Sequence, residues 1–202
     1  MLSYLKVCKN IAKQWRYLPP NYGGIGLHNL LHEATSASLN VFLQHYSTDT
    51  LIGHFLTASI GNLQLELGVA GCPFKYDFEI WGELATDSWV KSLWERIQHF
   101  KIDIEVEYPT LKPPREYNEC IMEKLVKQGV RGSELVSINR VRKHQESIFI
   151  SDIATANGTR VDPIHFSSWH DSYKRVLGKL QQLINFNNSN LFGVFCNNIL
   201  SS

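Results

Sequence analysis

Residues 16–27 read RYLPPNYGGIGL. The same letters can spell a phosphate-cradling loop or a tight bend between two helices, and the choice decides the fold. A dinucleotide loop needs GxGxxG directly after a strand, with a helix N-terminus to receive the pyrophosphate. Here Gly23, Gly24 and Gly26 lack a further glycine at that spacing, and no strand pattern precedes them. The GK[ST] of a P-loop is also absent. Pro19 and Pro20 exclude the preceding residues from helical geometry and stiffen the entry, while glycine supplies positive φ. The stretch is expected to be a structural turn built on Pro20, Gly23, Gly24 and Gly26.

Helical spacing flanks the turn on both sides. Before it, Leu2, Leu5, Val7, Ile11 and Trp15 mark a helix over 2–16. After it, Leu27, Leu30, Leu31, Ala34, Val41 and Phe42 mark one running to about Tyr46. Thr48 or Asp49 is expected to cap the next helix, which presents Ile52, Phe55, Leu56, Ser59, Leu63 and Leu67 and stops at Gly68. Thr86 and Asp87 open a further helix with the apolar stripe Trp89, Val90, Leu93, Trp94, Ile97 and Phe100. In KIDIEVEY (101–108) Ile102, Ile104 and Val106 alternate with Asp103, Glu105 and Glu107, which predicts a half-buried strand or extended arm.

Pro109 to Pro114 forms a linker-like break. Helices are predicted beyond it at 116–128, ended by Gly129, and at 134–145, capped by Ser133. Ser147–Ile153 reads as a short strand able to pair with 102–106, Asn157-Gly158 as a turn, and Trp169–Leu183 as a last helix. The expected fold is mainly α: an irregular helical bundle with a minor two-stranded β element. Its expected parts are a helical region at 1–108, a smaller helical region with a short strand at 109–184, and an unassigned asparagine-rich tail at 185–202.

The chain has 202 residues, 44% hydrophobic and 19% charged, which is globular composition. Net charge is +1, so no global field draws it to nucleic acid or a membrane surface. Within 111–143, however, 8 basic residues face 4 acidic ones. Cys8, Cys72, Cys120 and Cys196 are widely separated, with no CxxC pair. No apolar stretch reaches the ~18–20 residues of a membrane span, and the lysines near the start interrupt any leader-like run. An intracellular chain, cytoplasmic or nuclear, with no membrane partner is expected.

Catalytic signatures are sparse. His28 and His32 have the i,i+4 spacing of a zinc pair, but HNLLH lacks the glutamate of HExxH, so the general base is missing. His165 and His170 flank Trp169 with no evident third ligand. There is no Asp-Asp pair and no GxSxG. Asp152 and Asp162 flank the Asn-Gly turn. No metal, cofactor or catalytic residue is therefore expected. In the basic window, Arg140 shares a helix side with Lys143 and His144, a face able to contact phosphates. An alternative is a helical protein-interaction or scaffold domain, with its groove between the Trp89–Phe100 helix and the aromatic 74–81 loop.

One resemblance is specific. WRYLPPNYGGIGLHNL (15–30) resembles the segment just after the catalytic palm in non-LTR (LINE-type) retrotransposon reverse transcriptases, matching at Pro20, Gly23, Gly24, Ile25, Gly26 and Leu27. LVSINRVRKHQESIFISDIATANGTRVD (135–162) is similar to a downstream block in such polyproteins, where an Asn-Arg-x-Arg helix leads into Ser-Asp-Ile and a Gly turn. The resemblance spans about residues 10 to 175 and implies a thumb or connector beside the polymerase core. The aromatic-x-Asp-Asp turn that holds the two metals in that family does not occur in this chain, so the expectation is a non-catalytic, non-enzymatic region. It implies contact with RNA or DNA backbone and with the missing polymerase core. Arg140, Arg142 and Lys143 are the expected phosphate contacts, with Arg16 and Tyr22 as lesser ones.

Overall fold

The computed structural model describes residues 12–104, 106–108, 110–113, 118–155, 160–162, 176 and 178–182. Over these the chain is mainly α-helical, as the periodicity predicts. The elements are α1 (Lys13–Tyr17), α2 (Leu30–His45), α3 (Leu51–Leu67), α4 (Phe78–Trp81), α5 (Trp89–Phe100), α6 (Ile121–Lys127), α7 (Gly132–His144) and α8 (Ile150–Ile153). Residues 176 and 178–182 are also helical, lying within the predicted Trp169–Leu183 segment. The Asn157-Gly158 turn, the tail from 185 and residues 2–11 lie outside the described residues.

Each boundary has a local cause. Asn29 Oδ1 accepts from the Leu31 amide at 3.1 Å and starts α2. Thr50, rather than Thr48 or Asp49, caps α3 through the Gly53 amide at 3.1 Å. Thr48 is drawn away because its hydroxyl bonds the His45 carbonyl at 2.6 Å, closing α2. Gly68 stops α3 at φ 70, as expected of a left-handed cap. Ser88 caps α5, since Thr86 is bound to Glu66 and Asp87 pairs with Lys91. Gly129 has φ 88 just after α6. Helix α7 begins at Gly132, so Ser133 lies in its first turn.

The core is one cluster. Phe42 of α2, the Leu56–Ile60–Leu63–Leu67 stripe of α3 and the Val90–Leu93–Trp94–Ile97 stripe of α5 meet Ile121, Met122 and Leu125 of α6. Leu135 and Ile138 of α7 close it, with Val176 and Leu180 from the C-terminal helical residues. Side chains on both sides of the Pro109–Pro114 break therefore share a single interior. Trp94 anchors it: it is fully buried, and its indole N–H donates to the Tyr76 carbonyl at 3.1 Å.

The strand expectations change in detail. Residues 102–104 and 106–108 run as an extended arm without ladder partners among the described residues, with Ile102, Ile104 and Val106 half-buried and Asp103 and Glu107 exposed. The β pairing present consists of isolated antiparallel bridges, Cys120 with Phe149 and Ala154 with Val161. Ile150–Ile153 is helical rather than extended, because the Asp152 carboxylate accepts the Ile148 and Phe149 amides at 2.9 and 2.8 Å. That local bond outcompetes the β propensity of SIFISDI.

Candidate functional site

The glycine stretch folds back on α1. Pro20–Tyr22 forms one 3-10 turn, and Gly23 and Gly26 take φ 78 and 67. At Gly24 a Cβ would lie 2.0 Å from the Leu18 carbonyl oxygen, so the backbones touch there. The Tyr22, Gly23 and Gly24 amides donate to Pro19, Pro20 and Pro19 carbonyls. Those of Ile25, Gly26 and Leu27 donate to Trp15, Leu18 and Arg16 at 2.9, 2.9 and 2.8 Å. The amides of residues 22–27 are therefore spent on the chain itself rather than left for a phosphate. Arg16 is half-buried beside this turn, and the Tyr22 ring is 74% exposed.

Helix α7 disperses the expected basic grip. Arg140 is exposed, but Arg142 is only 4% exposed. Its Nη2 donates to the Leu65 and Glu66 carbonyls at 2.7 and 2.8 Å, capping the C-terminal end of α3. Nε donates to Asn139 Oδ1 at 3.0 Å and Nη1 to the Ser147 carbonyl at 3.1 Å. Asn139 Nδ2 adds a bond to the Glu66 carbonyl at 3.0 Å. Burial pushes the guanidinium down to about 10. Arg142 is thus an internal tie and no phosphate contact, a correction to the sequence expectation. The spacing held the signal: Leu135, Ile138 and Arg142 stand at i, i+3 and i+7, on the buried side of the helix.

Lys143 is half-buried and donates to the Leu84 carbonyl at 3.1 Å. Burial lowers its pKa, with Glu66 opposing and Arg142 reinforcing the shift. A cavity of about 470 Å³ opens here, lined by Leu65, Glu66, Arg142, Lys143, Glu146 and Ile148. Two cations face two carboxylates across it, so it offers no net charge to an anion. Another cleft, of about 510 Å³, carries Asp77, Glu79 and Glu95 and repels phosphate. Of the three expected contacts on α7, only Arg140 is exposed.

The histidine pair also separates. His28 precedes the cap of α2 and lies 3.3 Å from Glu33, whereas the His32 ring packs edge-on to Phe100 at 4.7 Å. Among the described residues no group of three or more His, Cys, Asp or Glu side chains is placed to hold a metal ion. His165 and His170 lie outside the described residues. Cys72 and Cys120 are free and buried. Burial raises both thiols, Cys120 to about 12 with Glu123 adding to the shift. Both are therefore poor nucleophiles.

Between α5 and the 74–81 loop the aromatic rings pack into the core, and the cleft that remains, lined by Asp77, Phe78, Glu79, Glu95, Gln98 and His99, is acidic. Phe78 packs edge-on to Trp94 at 4.9 Å, Tyr76 lies 5.1 Å from Trp81, and Phe74 is buried. The free apolar surface lies elsewhere. Leu30, Leu31, Val41 and Leu43 of α2 and Leu51, Ile52, Phe55 and Leu65 of α3 are exposed. Ile52 and Phe55 do not share the buried face of Leu56, Leu63 and Leu67, with which the sequence pattern groups them. Helix α3 instead turns Gly53, Leu56, Ile60, Leu63, Gln64 and Leu67 inward.

No protein-family model, curated protein or solved structure matches this chain.

A sequence signal for the exposed face existed. Between Arg16 and Lys75 there is no lysine or arginine. The carboxylates in that span are few, and two of them lie next to histidines: Glu33 by His28 and Asp49 by His54, at 3.3 and 3.0 Å. Such a surface has the depleted charge of a protein interface core. None of the described helices is long and apolar enough to cross a membrane.

Proposed function

We propose that this chain is a non-catalytic helical protein-interaction module that binds another polypeptide through the outer faces of α2 and α3. The observation that carries the reading is the exposed apolar series Leu43, Leu51, Phe55 and Leu65 in a span without a lysine or arginine. Soluble domains seldom leave large apolar patches uncovered unless a partner covers them. The resemblance of 15–30 to the segment after a reverse transcriptase palm supports the same role, since such a connector docks against a polymerase core.

The reading is tested by placing a photo-crosslinking amino acid at Phe55 or Leu43 in cells expressing the full chain, with Arg140 as the control position. Adducts are expected from the first two positions alone. Absence of adducts at both, or equal yield from Arg140, rejects it.

A second reading, residual grip on nucleic-acid backbone, is favoured by one observation: Arg140 of α7 is exposed, and so is Lys127 of the adjoining α6, which lies 3.6 Å from Glu119. Filter binding to single- and double-stranded RNA and DNA at two salt concentrations checks it. The grip would weaken as salt rises and with Arg140→Ala. Binding unchanged by either removes this reading.

A further inference from the structure

The cavity of about 470 Å³ where the ends of α3 and α7 meet is lined by Leu65, Glu66, Arg142, Lys143, Glu146 and Ile148. The hydrogen bonds divide its charged side chains into two kinds. Glu66 and Arg142 are committed to the protein. Glu66 Oε2 accepts from the Thr86 amide at 2.9 Å, and Oε1 from the Thr86 hydroxyl at 2.6 Å. Arg142 is held by the Leu65, Glu66 and Ser147 carbonyls and by Asn139. This fixed carboxylate and fixed guanidinium offset each other, so together they set no sign for a ligand.

Lys143 and Glu146 remain open. Lys143 Nζ donates to the Leu84 carbonyl at 3.1 Å, which leaves two of its three ammonium hydrogens for another acceptor. The Glu146 carboxylate accepts no bond and joins no ion pair among the described residues. The two residues are three positions apart, a spacing at which opposite charges on a helix ordinarily pair. They do not pair here, because Glu146 lies past the last turn of α7 at φ 52, off the helical path. A glutamate holds that left-handed conformation at a cost that glycine would avoid. Leu65 and Ile148 supply aliphatic wall to the same cavity.

We infer that the cavity binds a free aliphatic α-amino acid of the leucine type. Its carboxylate accepts from Lys143 Nζ, its ammonium donates to Glu146, and its side chain lies against Leu65 and Ile148. A simple anion is opposed by Glu66 and Glu146, and a simple cation by Arg142 and Lys143. A zwitterion satisfies both open groups at once. Small-molecule sites commonly enclose about 300–1,000 Å³, so the volume suits such a ligand. Burial disfavours the Lys143 ammonium, and a ligand carboxylate beside it restores that form. The inference does not rest on the α2–α3 interaction reading, with which it shares only Leu65.

Amide NMR spectra of the full chain, titrated with leucine, isocaproate and isoamylamine, test it. Leucine should move the resonances of residues 65–66 and 143–148 saturably, with a dissociation constant of about millimolar order for a ligand of this size. Isocaproate lacks the ammonium and isoamylamine the carboxylate, so each should bind roughly tenfold more weakly or worse.

Glu146 is exposed, so Glu146→Gln should stay folded while weakening leucine by roughly the same factor. Glu146→Gly should raise the melting temperature by relieving the positive φ, yet weaken leucine equally. A merely structural glutamate would not move stability and binding in opposite directions. No saturable shift at millimolar leucine, isocaproate or isoamylamine binding as tightly as leucine, or leucine binding unchanged in Glu146→Gln overturns the inference. Photo-adducts from Phe55 report on the α2–α3 face alone, so the two readings fail separately.

Discussion

A Cβ placed on Gly68 would lie 2.5 Å from Nε of Arg142. One residue ends α3 and the other is the cation that caps it, so a left-handed helix stop and a buried guanidinium press against each other. The guanidinium cannot swing aside, because its bonds to Asn139, Ser147, Leu65 and Glu66 hold it from several sides.

Gly68→Ala should therefore destabilise the protein beyond the ordinary left-handed penalty of about 1–2 kcal/mol. Displacing a fully bonded arginine adds to it, and the expected total is roughly 3 kcal/mol. A urea midpoint shifted strongly down at unchanged slope is the expected result. A change within about 0.5 kcal/mol, the range of neutral surface substitutions, contradicts the contact.

Neighbouring arginines on α7 should differ sharply. Arg142→Lys keeps the charge but loses the planar fork, so most of the carbonyl bonds go unmade and a loss of about 3 kcal/mol is expected. Arg140→Lys should be neutral within about 0.5 kcal/mol, since its side chain stands in solvent. Thermal melts of the two single variants make the comparison directly. Similar melting temperatures would mean that Arg142 is not the internal tie.

Glu119 gives a pH dependence of defined sign. Partial burial pushes its carboxyl up, but the Lys124 ammonium bonded to it, with Lys127 at 3.6 Å, pulls it lower still, for a net decrease. A depressed folded-state pKa means that the unfolded chain binds the proton more readily, so the stability is present above the ordinary glutamate value of about 4.3 and lost as pH falls below it. Wild type should exceed Glu119→Gln by up to about 1 kcal/mol at pH 7, and the gap should close near pH 3. A gap that is constant across that range would assign the effect to packing.

Cys72 and Cys120 should resist thiol reagents in the native state. Their raised pKa values keep the thiols protonated, and the stability this reflects persists below the ordinary thiol range and fades as pH rises toward about 12 at Cys120. In a Cys8→Ser, Cys196→Ser background at pH 8, no rapid labelling is expected before urea is added, and two thiols per chain after. Rapid native labelling would show that the 70–76 loop opens away from α6.

Helix existence and several stops were decided locally, and so were legible in the amino-acid order. Gly68 and Gly129 end helices because few other residues tolerate positive φ, and the 16–27 turn follows from its prolines and glycines whatever surrounds it. Helix α5 was legible too, since its apolar residues lie on one stripe. Helix α3 was legible as a helix but not in its rotation. Leucine, isoleucine and phenylalanine occur nearly all round it, so periodicity could not say whether Phe55 or Ile60 turns inward.

Tertiary neighbours settled that rotation, and they settled the fate of Arg142. A guanidinium is ordinarily assigned to the surface because desolvating it is costly. Here the unsatisfied carbonyls at the end of α3 and Asn139 offset that cost, but they come from residues more than seventy positions upstream and from the preceding turn of α7. Sequence order decides which backbone groups are left without partners. Only folding in three dimensions decides which side chain arrives to satisfy them.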